Sequence, residues 1–352
     1  MDVIGVGDMS GDVFGNGMLL SRAIRLVAAF DHRHIFLDPN PNPEASFAER
    51  QRMFDLPRSS WADYNPGLIS PGGGVFPRSA KEIPLSPEIR AMLGIADAVL
   101  DPITLMSAIL KAPVDLLWLG GIGTYVKASD ETHAQAGDKT NDAVRVDAGE
   151  LRVKVIGEGA NLGVTQAGRI EFARRGGRIN TDFIDNSAGV DCSDNEVNIK
   201  ILLDPIMSAG RMTQDVRNDL LVSMTDDVGA IVLRDNYLQT QAISVAQAAG
   251  LQALPAQLRF MQRLEQSGHL NRKVEGLPTD AQVTTRQLAG EGLTRPELAV
   301  LLSYAKINIF EQLLDSAVPD DPRLVEDLEM AFRRCWSTGS RTTCARTACA
   351  AN

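Results

Sequence analysis

The run Val3-Ile4-Gly5-Val6-Gly7, leading at once into Asp8-Met9-Ser10-Gly11, constrains the fold more than any other stretch of the chain. It reads as a short buried strand that ends in glycines. From Asp12 to Phe30 apolar residues then recur at helical spacing, at Val13, Met18, Leu19, Ile24 and Val27. A strand, a tight turn and a helix in that order bring unpaired helix N–H groups and the positive dipole end to the strand terminus, where an anion is favoured. The turn carries Gly5, Gly7, Ser10 and Gly11; the strict dinucleotide fingerprint wants a small residue where Ser10 stands, and Gly11 follows it. A glycine-rich turn also occurs without any ligand, so this run alone leaves both possibilities open.

His34-Ile35-Phe36-Leu37 reads as a second buried strand, stopped by Pro39. Asp38 closes it, about 20 residues after Gly17, the separation at which a carboxylate meets the ribose hydroxyls of a bound dinucleotide. Such a carboxylate would repel a ribose phosphate and so favour NAD over NADP. The same residue could instead belong to a plain turn, Asp38-Pro39-Asn40. A metal set of His32, His34 and Asp38 lacks a third histidine or cysteine at ligand spacing, and no metal is expected. His133 and His269 stand alone, and no Gly-x-Ser-x-Gly elbow is present.

Residues 40–80, rich in Pro, Gly, Asn and Ser, read as a long ordered excursion. Ser86-Pro87 and Asp101-Pro102 are helix starts, each an N-cap followed by proline. Val114 to Leu119 and Val153 to Ile156 are further strands ending in glycine, and another is expected near Ile179 to Ile184. Strands alternating with helices predict an α/β fold with a doubly wound, mostly parallel sheet, whose ligands lie beyond the strands' carboxyl ends. From about 197 the pattern changes to amphipathic helices, one opened by the capping-box spacing Thr294-Arg295-Pro296-Glu297. The stretch 335–352 drops that periodicity and reads as a disordered or aberrant tail.

Composition narrows the function classes. With 352 residues, 44% of them hydrophobic and 23% charged, the chain can bury one large or two ordinary domains. A net charge of −10 argues against a nonspecific nucleic-acid binder. No run of about 18 apolar residues suggests a membrane span. Four cysteines without a framework, and no signal-peptide pattern after Met1, point to the cytoplasm.

Two segments then carry a family resemblance: Gly157-Glu158-Gly159-Ala160-Asn161, and Thr181-Asp182-Phe183-Ile184-Asp185-Asn186-Ser187-Ala188-Gly189-Val190. They resemble the glutamate, leucine and phenylalanine dehydrogenase superfamily. The runs Gly7 to Gly17, Asp31 to Pro39 and Gly120 to Tyr125 are similar to the large bacterial NAD-specific glutamate dehydrogenases in particular, and the likeness covers about residues 1–334. It implies a Rossmann-like NAD-binding domain over 1–196 and a helical region over 197–334. It implies that the turn from Gly5 to Gly11 holds the pyrophosphate of NAD and Asp38 the adenosine ribose. Gly159, Ala160 and Asn161 would border the nicotinamide end, Asn186 would meet the carboxamide, and Ser193 would touch the amino-acid carboxylate. Ser193 could equally cap a helix.

The implied reaction is NAD-dependent oxidative deamination of L-glutamate to 2-oxoglutarate and ammonia, in an enzyme that is a homo-oligomer at full length. Ser187 and Ala188 stand where the shorter enzymes usually have Ala and Gly. No Lys-Gly-Gly segment or catalytic aspartate loop of the superfamily is found, so catalytic residues are expected upstream of Met1 and the chain is expected to be inactive alone. A non-catalytic nucleotide-binding or subunit-interaction module is the alternative.

Overall fold

Six strands build the central sheet: β1 (Asp2–Val6), β2 (Arg25–Phe30), β3 (His34–Leu37), β4 (Gly74–Pro77), β5 (Leu116–Leu119) and β6 (Val155–Glu158). The computed structural model describes residues 1–324, so the tail expectation for 335–352 lies outside the described residues. The strand order is β6-β5-β1-β2-β3-β4. The first four in that order run parallel, whereas β3 is antiparallel to β2 and β4 to β3. The fold is therefore mixed α/β with a mostly parallel sheet.

Parallel strands are buried on both faces, which is why they are almost wholly apolar. On one face Ile4, Val6, Phe30, Leu117, Leu119 and Ile156 form a core with α3 (Pro87–Leu93), α4 (Pro102–Leu110) and α5 (Gln166–Arg174). The other face packs Val3, Leu26, Ala29 and Phe36 against α1 (Asp12–Leu19), α2 (Pro43–Asp55) and Trp61. The two Pro-bearing helix starts form as expected. Ser86 accepts the Ile89 N–H, and Asp101 accepts those of Ile103 and Thr104.

Three sequence expectations need correction. The helix does not reach Phe30: it stops at Leu19, and 25–30 is a strand. Ile24 and Val27 fall at helical spacing, but Leu26 to Phe30 is also a continuous apolar run, which suits a strand buried on both faces. The excursion over 40–80 contains a 13-residue helix, α2, whose Asn42 cap accepts the Ala45 N–H. Near 179–184 there is only a bridge between Val155 and Arg178, followed by the short helix α6 (Asp182–Asp185).

By packing, the chain divides into two compact units. One comprises Met1–Asn186 with Ala246–Val300; the other comprises Ser187–Val245 with Leu301 onward. The helical stretch after 197 is thus shared between them. The first unit contains the whole sheet. The second begins with α7 (Ser187–Ser208), whose Ile199, Leu203 and Ile206 meet Met224 in a small core. Among the described residues no helix is long and apolar enough to cross a membrane.

Trp61 ties the second face together. It is fully buried, stacks on Phe36 at 4.8 Å, meets Phe14 edge-on at 5.8 Å, and donates its indole N–H to the Gly7 carbonyl at 3.0 Å. Trp61→Ala should lower the unfolding free energy by about 3–5 kcal/mol in urea titrations. Trp61→Phe, which keeps most of the volume and loses the hydrogen bond, should cost about 1–2 kcal/mol. An alanine variant within ~1 kcal/mol of the parent chain would contradict this account of the packing.

Candidate functional site

The strand order reverses direction between β1 and β5, because β1 leads to β2 on one side while β5 and β6 lie on the other. In open α/β sheets ligands bind beyond the carboxyl ends of the strands at such a divide. Three segments follow the strands there, each with exposed residues: Gly7 to Val13 (Ser10 to Val13), Gly120 to Thr124 (Ile122), and Gly159 to Asn161 (Asn161).

The glycines of the first segment have different roles. Phe14, fully buried on α1, occupies the space where side chains at Gly5 and Gly7 would stand: a Cβ on Gly5 would lie 2.5 Å from its ring, and one on Gly7 2.7 Å. Gly7 also has φ +137°, a backbone that suits glycine. A Cβ on Gly120 would lie 2.8 Å from the Phe14 Cα. These three absences let α1 lie down on the strands. Gly11 is another matter, since a Cβ there would meet nothing nearer than the Asp8 carbonyl at 3.5 Å. Ser10, Gly11, Asp12 and Val13 are exposed, and Gly11 caps α1 without any side-chain hydrogen bond. Ser10 is engaged within the turn, its amide and hydroxyl donating to Asp8 Oδ1 at 2.9 and 2.6 Å. The mouth of the turn is open, and no side chain caps the first turn of the helix behind it.

Asp38 does not join this mouth. The expectation rested on taking His34–Leu37 as the next parallel strand. Because β3 is antiparallel, its end carries Asp38 back toward the amino-terminal ends of the parallel strands, where its amide donates to the Val27 carbonyl at 2.8 Å. The side chain is fully buried, and Oδ1 accepts the Ser70 amide at 3.1 Å together with the Ser70 hydroxyl.

The parallel strand β2 instead ends beside β1 with Phe30 opposite Val6, and the next residue is Asp31. Asp31 is 7% exposed. Its Oδ1 accepts the amides of Arg33 and His34 at 2.7 and 2.6 Å, while Oδ2 is buried with no hydrogen-bond partner among the described residues. Potential ligand atoms of Asp8, Asp31 and His32 lie within 4.8 Å of one another, which puts Asp31 beside the glycine turn. His34 and Asp38 are not part of that group. Asp31 lies about 20 residues after Gly11, as Asp38 does after Gly17. The signal was legible in Leu26 to Phe30 followed by a carboxylate, once those residues are taken as a strand.

At the other end of the crevice the Ala160 amide donates to the Leu119 carbonyl at 2.8 Å, and Asn186 donates its side-chain amide to Asn161 Oδ1. Gly159, Ala160, Asn161 and Asn186 are therefore brought together. Trp118 lies beneath them: a Cβ at Gly159 would be 2.5 Å from its ring, and one at Gly157 2.8 Å. Ser193 belongs to the second unit, exposed within α7 rather than at its start, so it is not a helix cap. A cavity of about 990 Å³ lies beside β6, lined in part by Trp118, Gly157, Asn180, Asp185 and Arg295, and is separate from the glycine turn.

Gly7→Ala should destabilise the chain by about 2–4 kcal/mol through its positive φ and the clash with Phe14, whereas Gly11→Ala should cost no more than about 1 kcal/mol. Thermal unfolding of the two variants checks this. Equal losses would mean that Phe14 does not set the difference.

The chain matches the family model described as bacterial NAD-glutamate dehydrogenase, catalytic domain, over residues 1–246, and that of the glutamate dehydrogenase C-terminal region over 290–334. It is 60% identical over 332 residues to the NAD-specific glutamate dehydrogenase of Pseudomonas aeruginosa. It is 56% identical over 336 residues to that of Mycobacterium tuberculosis, and 55% identical over 330 residues to that of Halomonas elongata. Each match covers 94% of this chain, but the chain spans only about one fifth of each relative's length. By the extent of these matches, the chain belongs to the bacterial NAD-glutamate dehydrogenase family.

Proposed function

We propose that this chain is the Rossmann-like NAD-binding part of a glutamate dehydrogenase, which oxidatively deaminates L-glutamate to 2-oxoglutarate and ammonia. The observation that carries this is the open glycine turn at the start of α1, beside a buried carboxylate oxygen, Asp31 Oδ2, that has no partner. An uncapped helix start suits the pyrophosphate, and an unpaired acceptor suits a ribose hydroxyl. The donor and acceptor set therefore fits a dinucleotide. NAD, when bound, supplies the acceptor for the hydride leaving the α-carbon of glutamate.

The residues of this chain would bind and orient. The amides of Asp12 and Val13, in the uncapped first turn of α1, would neutralise phosphate charge without lysine or arginine. Asp31, rather than Asp38, would hold the adenosine ribose and repel a 2′-phosphate. Asn161 and Asn186 would fix the carboxamide face of the nicotinamide without adding charge, with Gly159 and Ala160 bordering the ring. Ser193 is the proposed contact for the substrate carboxylate. Proton transfer and recognition of the glutamate side chain are assigned to the part of such an enzyme that this chain does not match, and homo-oligomer formation to the whole enzyme. The isolated chain should then bind NADH yet show no appreciable glutamate oxidation.

Titration with NADH, followed by quenching of tryptophan emission, tests the assignment. Asp31→Asn keeps the turn but weakens the acceptor. It should lower NADH affinity about tenfold, the cost of one charge-assisted hydrogen bond, and narrow the preference over NADPH. Asp38→Asn should leave affinity within about twofold, because its neighbours are structural. The reverse pattern would return the ribose to Asp38. An absence of NADH binding by the parent chain would remove the proposal altogether.

A further inference from the structure

We propose that Glu158, Arg169 and Asp182 form a positioning device that sets the turn carrying Gly159, Ala160 and Asn161, with Arg169 at its centre. The inference rests on the dinucleotide assignment above and concerns residues that would not touch the cofactor themselves.

Arg169 projects from α5 and is buried, as are both of its acidic partners. Its Nε and Nη2 reach Glu158 Oε2 and Oε1 at 2.7 and 2.9 Å, and Nη2 also lies 3.0 Å from Asp182 Oδ1. Each carboxylate then passes the constraint on to the turn. Glu158 Oε1 accepts the Val164 amide at 3.0 Å, and Asp182 Oδ2 accepts the Leu162 amide at 2.8 Å. Asp185, at the end of α6, accepts the Glu158 amide at 3.1 Å. The segment 159–164 is thus held at its beginning, middle and end by carboxylates, two of which share one guanidinium. Leu162 adopts φ +61° although it is not glycine, and its carbonyl accepts the Thr124 hydroxyl at 2.8 Å. A left-handed leucine costs energy that only over-determined surroundings sustain. Its side chain is 65% exposed, so core packing does not supply the compensation.

Burial pushes the Glu158 carboxyl above its ordinary range, against the opposing bonds from Arg169. Apolar residues of similar volume would fill the same space without that desolvation penalty. What the charged set adds is direction: fixed N–H acceptors for one particular backbone path. That path delivers Asn161 to Asn186, because α6, which bears Asp182 and Asp185, leads straight into Asn186. Removing the guanidinium should therefore disturb the nicotinamide end and leave the glycine turn of α1 alone.

The test uses the full chain with Arg169→Met, Arg169→Lys and Asp182→Asn, the last being nearly isosteric. NADH and ADP-ribose, which lacks the nicotinamide, are compared as ligands. Amide hydrogen exchange of the unliganded chain is followed at Leu162 and Val164. In Arg169→Met and Asp182→Asn, NADH affinity should fall about fivefold, as for one lost hydrogen bond, while ADP-ribose affinity moves less than about twofold. Exchange at Leu162 and Val164 should quicken while that of β1 and β5 is unchanged. Arg169→Lys, which retains charge without the fork, should fall between parent and methionine variant. Parallel losses for both ligands would make the triad a general stabiliser and overturn the proposal. So would unchanged affinities alongside faster exchange. If the parent chain binds neither ligand, the dinucleotide assignment itself fails, and that is visible before any variant is compared.

Discussion

The contact between Phe14 and three bare glycine backbones governs the geometry of this molecule. A helix ordinarily stands about 10 Å from a sheet because side chains on both surfaces keep them apart. Here Gly5, Gly7 and Gly120 present no Cβ, and the phenyl ring takes up the room they leave. The start of α1 is thereby drawn down over the divide between β1 and β5. Trp118 repeats the arrangement against Gly17, Gly157 and Gly159, so one helix, one strand and the turn after it close on a single indole. The glycine pattern thus serves packing first, and the open mouth at Gly11 is its by-product.

The far end of the same helix is finished differently. Arg50 is fully buried and donates to the Met18 carbonyl at 3.2 Å, the Ile24 carbonyl at 3.3 Å and the Ser46 hydroxyl at 2.7 Å. Burial holds its guanidinium down at about 10, and no carboxylate pairs with it among the described residues. A cation at a helix carboxyl end is favoured by the dipole, and the guanidinium satisfies carbonyls that would otherwise be orphaned. One end of α1 is therefore closed by a side chain, while the other has no side-chain cap.

How much of this was legible in the sequence depended on how local the cause was. The strand–turn–helix at the amino terminus, the strands around Leu117 and Ile156, and the caps at Ser86 and Asp101 follow from neighbours within a few residues. What failed was direction. Ile24 and Val27 sit at a helical interval by coincidence, which hides β2 within the helical pattern and makes His34–Leu37 read as a parallel strand. The carboxylate that follows the parallel strand β2 is Asp31, whereas Asp38 follows the antiparallel β3. Nothing in His34 to Leu37 distinguishes parallel from antiparallel pairing, since the strand is apolar either way. The Glu158–Arg169–Asp182 set was invisible for another reason: its members are joined only by tertiary contacts.

The hairpin between β2 and β3 has a thermodynamic consequence of its own. Two backbone amides already grip one oxygen of Asp31, so the carboxylate cannot rotate between rotamers in solution. The entropy of freezing that side chain, commonly about 0.5–1.5 kcal/mol on association, was surrendered when the chain folded. The buried Oδ2, which has no partner among the described residues, is thereby an acceptor already held in one direction. Lengthening the side chain to glutamate would keep the charge and forfeit the aim.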